Sequence, residues 1–240
     1  MSKPFQFKEF IIHQDKTAMK VGTDGVLLGA WSSVTDFPDA ILDIGAGTGV
    51  VSLMLAQRSD ALIIDAVELD ENAYEQTVEN FERSSWSDRL YCYHATFQEF
   101  AIEIATDEET YDLIVSNPPF FADSFQTENS ARNKARSTSF LSFEELIEGV
   151  VNIISKNGKF VVILPFLEEL NFISLAAKNN LFLNRVCRVQ GNASSEVKRT
   201  LLEFSLTKNS IKEEHLIIEL SRHQYTEAYV NLTKDFYLKM

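Results

Sequence analysis

The feature that most constrains the fold of this chain is the alternation of short apolar runs with segments of helical period. The run "AILDIGAG" at 40–47 predicts a strand that enters a glycine turn, and "VVSLMLAQR" predicts the helix after it. Seven strands are predicted in all, at 40–47, 61–69, 89–95, 111–116, 158–165, 181–189 and 199–207. Helices are predicted at 50–58, 70–84, 142–155 and 167–178.

Alternating strands and helices are typical of an α/β fold with helices on both faces of a mainly parallel sheet. The last two predicted strands follow each other with no helical stretch between them. A connection of this kind indicates a hairpin, which introduces an antiparallel strand. The sequence therefore predicts a Rossmann-like, mainly parallel seven-stranded sheet with an antiparallel strand in a C-terminal hairpin.

The length of the chain favours one domain. With 240 residues, of which 45% are hydrophobic, it is long enough for one sizeable core and short for two. We expect a single domain over 1–240, with 1–38 as a segment that covers substrate and cofactor and 39–240 as the core. No run approaches the roughly 18 apolar residues of a membrane span, and the start "MSKPFQFKEF" is too polar for a signal peptide, so we expect a cytoplasmic protein.

Charge and cysteine content restrict the classes of partner. A net charge of -13 argues against binding nucleic acid through a general positive field, so any such partner must meet a local patch. Cys92 and Cys187 form no C-x-x-C pair, and the four histidines show no ligand spacing. We therefore expect neither a metal site nor a disulfide.

The first turn at a strand end carries a glycine-rich motif. In "DIGAGTG", Asp43 ends the strand and Gly45, Gly47 and Gly49 follow, while Glu68 ends the next strand. Glycines accept positive φ and let a ligand lie against bare backbone, and an acid at the second strand end suits ribose hydroxyls. The third glycine of a dinucleotide fingerprint is missing, which disfavours a nicotinamide cofactor. A plain strand-to-helix turn with an incidental acid is the alternative.

A second unusual motif, "SNPPFF" at 116–121, follows the apolar run "YDLIV". Its two prolines remove two backbone donors at the end of a buried strand, so the strand ends in a rigid turn that carries an amide and aromatic rings. Alone, the motif is equally compatible with a proline-rich turn capped by core aromatics.

Together, "DIGAGTG", the acid that closes the second strand and "NPPF" after the fourth resemble the class I S-adenosylmethionine-dependent methyltransferases that modify exocyclic or amide nitrogens. The opening at 7–31, the closing "LTKDFYLKM", "ARNKAR" at 131–136 and "KRTLLEF" at 198–204 resemble one bacterial family, the tRNA1(Val) adenine-37 N6-methyltransferases. This resemblance spans nearly the whole chain. It implies S-adenosyl-L-methionine as cofactor and tRNA as partner.

The resemblance also implies roles for the residues of the proline motif. The side-chain oxygen of Asn117 and the carbonyl of Pro118 would accept the two N–H hydrogens of the target amino group, and Asn117 would also border the cofactor. Such acceptors stabilise the positive charge that develops on nitrogen. Phe120 would stack on the base, and Phe121 would contact the RNA.

Further residues are expected around the cofactor. The family of folds commonly places an acid after the third strand to accept from the cofactor's adenine, and here "HATF" offers Thr96 instead. Asp43 would orient the glycine turn or reach the methionine moiety through water, with a structural turn cap as the alternative. Lys20, Thr23 and Asp24 in "MKVGTDG" are expected under the cofactor, with Thr23 or Asp24 capping the next helix. The capping role alone is the alternative.

Basic residues form two groups that an RNA backbone would contact. The first group is Arg132, Lys134 and Arg136, and the second is Arg185, Arg188, Lys198 and Arg199, with Glu196 as the single acid near it in sequence. A solvated charged face is the alternative for each group.

Other acceptors stay open at this point. Guanine-N2 methylation of ribosomal RNA can use the same "NPPF", and glutamine-N5 methylation of protein uses a similar tetrapeptide. A non-catalytic RNA-binding module is a third alternative, which the intact motifs disfavour. Few residues follow the last parallel strand, so a separate domain that reads duplex DNA sequence is not expected.

Overall fold

The computed structural model describes residues 3–118 and 141–239. Strands and helices alternate through most of this range. The strands are β1 Phe5–Gln6, β2 Ile11–Ile12, β3 Ala40–Ile44, β4 Ile63–Glu68, β5 Leu90–His94, β6 Tyr111–Ser116, β7 Ile154–Pro165, β8 Phe182–Asn192, β9 Val197–Ser205, β10 Lys212–Ser221 and β11 Gln224–Tyr225. The helices are α1 Thr23–Trp31, α2 Val50–Arg58, α3 Glu71–Glu82, α4 Phe97–Thr106, α5 Phe143–Ile153, α6 Glu169–Lys178 and α7 Glu227–Thr233.

The described strands β3 to β11 form one sheet of nine strands in the order β11-β10-β8-β9-β7-β6-β3-β4-β5. Strands β3 to β7 are parallel to their neighbours among themselves, whereas β9 is antiparallel to both β7 and β8. The predicted α/β fold with a mainly parallel sheet and an antiparallel C-terminal hairpin is confirmed.

The strand count differs from the predicted seven. Four described strands were not predicted: β1 and β2 pair with each other in a separate two-stranded sheet, β10 pairs parallel with β8, and β11 pairs antiparallel with β10. The run "KEEHLIIELS" of β10 begins with charged residues, and most of its side chains remain partly or fully exposed because it lies near the edge of the sheet. Its sequence therefore lacks the continuous apolar run by which the central strands were predicted.

The central strands are buried on both faces. Ile41 and Val115 pack with the layer that contains α1 and α2, whereas Leu42 and Ile114 pack with the layer that contains α4 and α5. Full burial of such a side chain stabilises the fold by about 1.5 to 3 kcal/mol. This packing on both faces fixes the strand ends relative to one another.

The two ends of the described chain pack together. Phe7 stacks on Phe10 and on Tyr237, with centroid distances of 4.6 and 5.9 Å, and the Lys8 amide donates to the Phe236 carbonyl at 2.8 Å. Within residues 3–118 and 141–239, no helix has both the length and the apolar character that crossing a bilayer requires.

Candidate active site

The strand ends carrying the unusual motifs lie side by side. Ile44 of β3 pairs with Ser116 of β6 on one side and with Val67 of β4 on the other. Glu68 in turn pairs with His94 at the end of β5. Because these strands are parallel, the residues that follow them meet at one edge, where ligands of such sheets bind.

The glycine turn has the backbone conformation that its sequence predicted. Gly45, Gly47 and Gly49 have φ angles of 74°, 62° and 75°, in the left-handed region that favours glycine. A Cβ at Gly45 or Gly47 would meet no atom within 4 Å, so both positions leave room for a ligand beside the backbone. A Cβ at Gly49 would lie 2.7 Å from Phe81, so this glycine permits close packing of the turn on α3.

Glu68 connects the glycine turn to the end of β4. Its Oε2 accepts from the Gly47 amide and its Oε1 accepts from the Asp70 amide, both at 2.9 Å. Each carboxylate oxygen has a second lone pair, which a ribose hydroxyl can use. The predicted ribose acid therefore also orients the turn.

Asp43 is 1% exposed and points to α2. Its Oδ2 accepts from the Ser52 amide at 3.1 Å and from the Ser52 hydroxyl at 2.7 Å. Burial raises the pKa of Asp43 to about 6, although these two hydrogen bonds lower it. The contacts match the structural alternative stated above, in which Asp43 holds the turn by tying β3 to α2.

Thr96 is the N-cap of α4. Its hydroxyl accepts from the Glu99 amide at 3.2 Å and its backbone amide donates to Glu99 Oε2 at 3.3 Å, which together form a capping box. The hydroxyl also donates to Glu99 Oε2 at 2.7 Å. The residue before it, Ala95, donates its amide to the Glu68 carbonyl at 3.3 Å. Thr96 thus lies next to the predicted ribose site, with one hydroxyl lone pair left after capping.

The proline motif begins beside the glycine turn. The Ser116 hydroxyl donates to the Ile44 carbonyl at 3.0 Å and is fully buried, which fastens the end of β6 to β3. Asn117 is half-buried and Pro118 is buried. Ser116 was missed as a supporting residue, although its position directly before the motif was visible in the sequence.

Five predicted site residues lie outside the described residues. These are Phe120, Phe121, Arg132, Lys134 and Arg136. Their expected roles in stacking on the base and contacting RNA stay predictions.

Arg185 forms a partly buried ion pair. Its guanidinium lies 3.8 Å from the ring centroid of Trp31 and pairs with Glu214 at 3.0 Å. Burial opposes ionisation of Glu214, but hydrogen bonds from Arg185, Lys212 and Trp31 outweigh it and lower its pKa to about 2. This pair joins α1 to the sheet.

The other basic residues of the hairpin also meet acids from distant parts of the chain. Arg188 pairs with Glu169 at 2.7 Å, and Arg199 pairs with Asp24 at 2.7 Å. Glu196 is therefore not the only acid near the group. Lys198 has no ion pair within the part of the chain that the structure describes.

The expected cap of α1 is wrong. The N-cap is Gly22, which has no side chain to accept a hydrogen bond, and neither Thr23 nor Asp24 caps the helix. The Asp24 carboxylate accepts from Arg199 instead.

Helix α3 contributes polar residues that the sequence reasoning missed. Its buried side chains are Ala73, Gln76, Thr77, Asn80 and Phe81. This spacing is that of the core face of a helix, and three of the five residues are polar. Polar residues at core positions of a predicted helix indicate that the helix contacts other polar groups, because polar side chains are buried where they find hydrogen-bond partners.

The described residues contain no group of three or more His, Cys, Asp and Glu side chains placed to hold a metal ion. Cys92 and Cys187 are free thiols.

Comparison with known proteins identifies the family. The methyltransferase small domain matches residues 26–167. A Christiangramia forsetii protein named tRNA1(Val) (adenine(37)-N6)-methyltransferase is 53% identical over 239 residues, covering 100% of this chain and 99% of that protein. A Bacteroides fragilis protein of the same name is 47% identical over 242 residues, with full coverage of both chains.

Solved structures share the fold at low identity. A predicted O-methyltransferase from Agrobacterium tumefaciens has a TM-score of 0.68 at 16% identity and covers 89% of this chain and 96% of its own. A protein described as a methyltransferase complexed with SAH has a TM-score of 0.53 at 16% identity, over 69% of this chain and 44% of its own.

The predicted class I methyltransferase fold is thus confirmed. Membership of the family also confirms the predicted methyltransferase activity and the S-adenosyl-L-methionine cofactor. The chain belongs to the methyltransferase small domain family and, within it, to the bacterial proteins named tRNA1(Val) (adenine(37)-N6)-methyltransferase.

Proposed function

We propose that this chain methylates N6 of adenine 37 in the anticodon loop of tRNA1(Val), with S-adenosyl-L-methionine as methyl donor. The observation that carries the proposal is the pairing of Ile44 with Ser116, since Gly45 and Asn117 are the residues that follow these two parallel strands at the same edge of the sheet. A methyl donor in the glycine turn and an amino group at Asn117 would therefore be neighbours. The full-length identity to relatives of that name supplies the choice of tRNA and position.

The residues present fit the cofactor. The open space beside Gly45 and Gly47 accommodates a ligand against the backbone, and the Glu68 carboxylate can accept from ribose hydroxyls. Thr96, next along the sheet edge, would meet the adenine end, while Asp43 and Gly49 hold the turn in place. When bound, S-adenosylmethionine supplies an electrophilic methyl group on a sulfonium.

Asn117 and Pro118 act on the acceptor. An adenine amino group is a poor nucleophile because its lone pair is delocalised into the ring, and attack leaves positive charge on the nitrogen. The Asn117 side-chain oxygen and the Pro118 carbonyl would accept its two N–H hydrogens and stabilise that charge as it develops. The fixed φ of proline stiffens the turn that carries both oxygens. Phe120 would stack on the base.

The RNA would approach the same edge of the sheet. Lys198 and Arg199 are the second and third residues of β9, and Arg199 pairs with Pro165 at the end of β7. Because Arg199 is paired with Asp24, a phosphate would compete with that carboxylate, and Lys198 is the more available cation. Phe121 and the basic residues Arg132, Lys134 and Arg136 complete the proposed RNA contacts.

An anticodon loop suits such a site. Its bases are already unstacked in part, so an enzyme avoids much of the cost of extruding a base from a duplex, which is a few kcal/mol. The proposal places the protein in the cytoplasm with tRNA as its partner, and involves no membrane, metal or obligate protein partner. It treats 1–240 as one methyltransferase domain, in which 1–38 covers cofactor and substrate.

The experiment that tests the proposal is incubation of the purified chain with S-adenosylmethionine labelled in its methyl group, in separate reactions with total RNA and total protein. We expect label in RNA, recovered as N6-methyladenosine. Recovery as N2-methylguanosine would replace the acceptor with guanine, and label in protein glutamine would replace it with a polypeptide. No transfer to either would favour a non-catalytic RNA-binding module.

A further inference from the structure

Three polar side chains of α3 are almost completely removed from solvent. Gln76 and Thr77 are 0% exposed and Asn80 is 1% exposed. They lie on one stripe of the helix, since residues three and four positions apart are neighbours on a helical surface. Burial of such groups is unfavourable unless they are hydrogen-bonded, so their partners indicate what the stripe does.

Asn80 contacts two separate parts of the chain. Its Nδ2 donates to the Thr48 carbonyl in the glycine turn and to the His13 carbonyl in the N-terminal segment, both at 2.9 Å. Its Oδ1 accepts from the His13 amide at 2.9 Å. One amide group therefore bridges the turn and the segment.

All three hydrogen bonds of Asn80 favour the same orientation of its side-chain amide. Rotation by half a turn would direct Oδ1 of Asn80 at the Thr48 carbonyl, and two acceptor oxygens repel each other. Since His13 offers one donor and one acceptor in matching positions, it favours the orientation in which Nδ2 reaches Thr48. Docking of the segment therefore reinforces the orientation that the bond to the turn requires.

The flanking side chains each hold one of the two parts. The Thr77 hydroxyl donates to the Gly47 carbonyl at 3.0 Å and contacts the turn. Gln76 Oε1 accepts from the amides of Asp15 and Lys16 at 3.0 and 3.1 Å and contacts the segment. Gly47 is therefore held by Glu68 through its amide and by α3 through its carbonyl.

We propose that Asn80 is a positioning residue that couples the N-terminal segment 13–16 to the glycine turn, so that docking of the segment on α3 strengthens binding of S-adenosylmethionine. The inference rests on the proposed function for the use of the turn as a cofactor site, and it extends that function to a polar stripe outside the strand ends. It assigns the N-terminal segment a part in binding the cofactor through Asn80.

A double-mutant cycle with S-adenosylhomocysteine as the calorimetric probe tests this coupling. Gln76→Leu loosens the segment without touching the turn, and Asn80→Ala removes the bridge. We expect each substitution alone to raise the Kd about three- to tenfold. In the Asn80→Ala background, Gln76→Leu should raise the Kd by less than a further factor of about two, because the effects of substitutions within one hydrogen-bond network are not additive.

The matched control is Tyr111→Phe. The Tyr111 hydroxyl donates to Asp65 Oδ2 at 2.6 Å at the amino end of β6, so its loss destabilises the fold away from the turn. We expect a lower midpoint of thermal unfolding for this variant with an unchanged Kd. Asn80→Ser takes the place of Asn80→Ala in the cycle if the alanine variant does not fold.

Three results would overturn the coupling. The first is a Kd of S-adenosylhomocysteine that is unchanged in Gln76→Leu but raised in Thr77→Val. The segment would then pack on α3 without affecting cofactor binding. The second is full additivity of Gln76→Leu and Asn80→Ala. The third is an equal rise in Kd for Tyr111→Phe. A wild-type chain that binds S-adenosylhomocysteine but methylates no tRNA would overturn the proposed function alone.

Discussion

Replacement of Glu68 tests the cofactor site most sharply, because this carboxylate has two functions in the structure. It anchors the Gly47 amide at 2.9 Å and is the proposed acceptor for ribose hydroxyls. Loss of a hydrogen bond to a charged acceptor weakens binding by about 1.5 to 3 kcal/mol, which corresponds to a rise in Kd of roughly 10- to 150-fold. We therefore expect Glu68→Ala to raise the Kd of S-adenosylhomocysteine into that range.

Glu68→Gln separates charge from shape. The amide oxygen can still accept from the Gly47 amide, but Nε2 takes the place of one carboxylate oxygen and the charge is lost. A hydrogen bond to a neutral acceptor is about half as strong as one to a charged acceptor. We expect the Kd of this variant to lie between those of wild type and Glu68→Ala.

Titration calorimetry measures both variants, with Thr226→Ala as the control for stability. Thr226 caps α7 by accepting from the Tyr229 amide at 3.2 Å, so its loss lowers the free energy of unfolding by about 0.5 to 2 kcal/mol without altering the site. A Kd for Glu68→Ala within about twofold of wild type would refute the ribose assignment, since the lost bond alone exceeds that.

Three further predictions concern chemistry, the turn and pH. Asn117→Ala should lower turnover by roughly 10²- to 10³-fold with little change in S-adenosylhomocysteine binding, because its oxygen acts mainly as charge develops; single-turnover rates and calorimetry check this. Gly49→Ala should lower the midpoint of thermal unfolding more than Gly47→Ala does, because its Cβ would lie 2.7 Å from Phe81. Gly47→Ala should weaken S-adenosylhomocysteine binding more than Gly49→Ala does, because its Cβ would enter the open space beside the turn. Burial raises the pKa of Asp65 from 3.8 to about 6. Between these values the folded chain retains a proton that the unfolded chain has lost, so Asp65 makes the free energy of unfolding fall as pH rises, by up to roughly 3 kcal/mol. Asp43, whose pKa is also about 6, contributes a similar fall, so Asp65→Asn should reduce the fall measured in urea titrations from about pH 4 to pH 7 by roughly half.

Local periodicity predicted the part of the fold that places the site. The apolar runs that became β3, β4 and β6 are buried on both faces, so their sequences are continuous and their ends carry the functional motifs. Parallel pairing then brings "DIGAGTG", Glu68 and Asn117 to one edge. These inferences need only the alternation of strands and helices.

Contacts between residues distant in sequence were not predictable in the same way. Arg199 meets Asp24, which lies 175 residues away along the chain, and Arg188 meets Glu169 of the helix that precedes β8. The spacing of residues within one element predicts neither contact. Helix α4 was also missed, although Thr96 and Glu99 carry the spacing of a capping box. Thr96 was interpreted only as a cofactor contact, so its role as the N-cap of α4 was not predicted.

The most direct test of the proposed function is methylation of two matched tRNA1(Val) transcripts, one with adenine at position 37 and one with guanine there. We expect the wild-type chain to form N6-methyladenosine at position 37 of the first transcript and to leave the second unmodified, with the Asn117→Ala variant nearly inactive on the first. Equal methylation of both transcripts, or N2-methylguanosine in the second, would contradict the assignment of adenine 37. Full methylation of the first transcript by the Asn117→Ala variant would contradict the role of the Asn117 oxygen in the reaction.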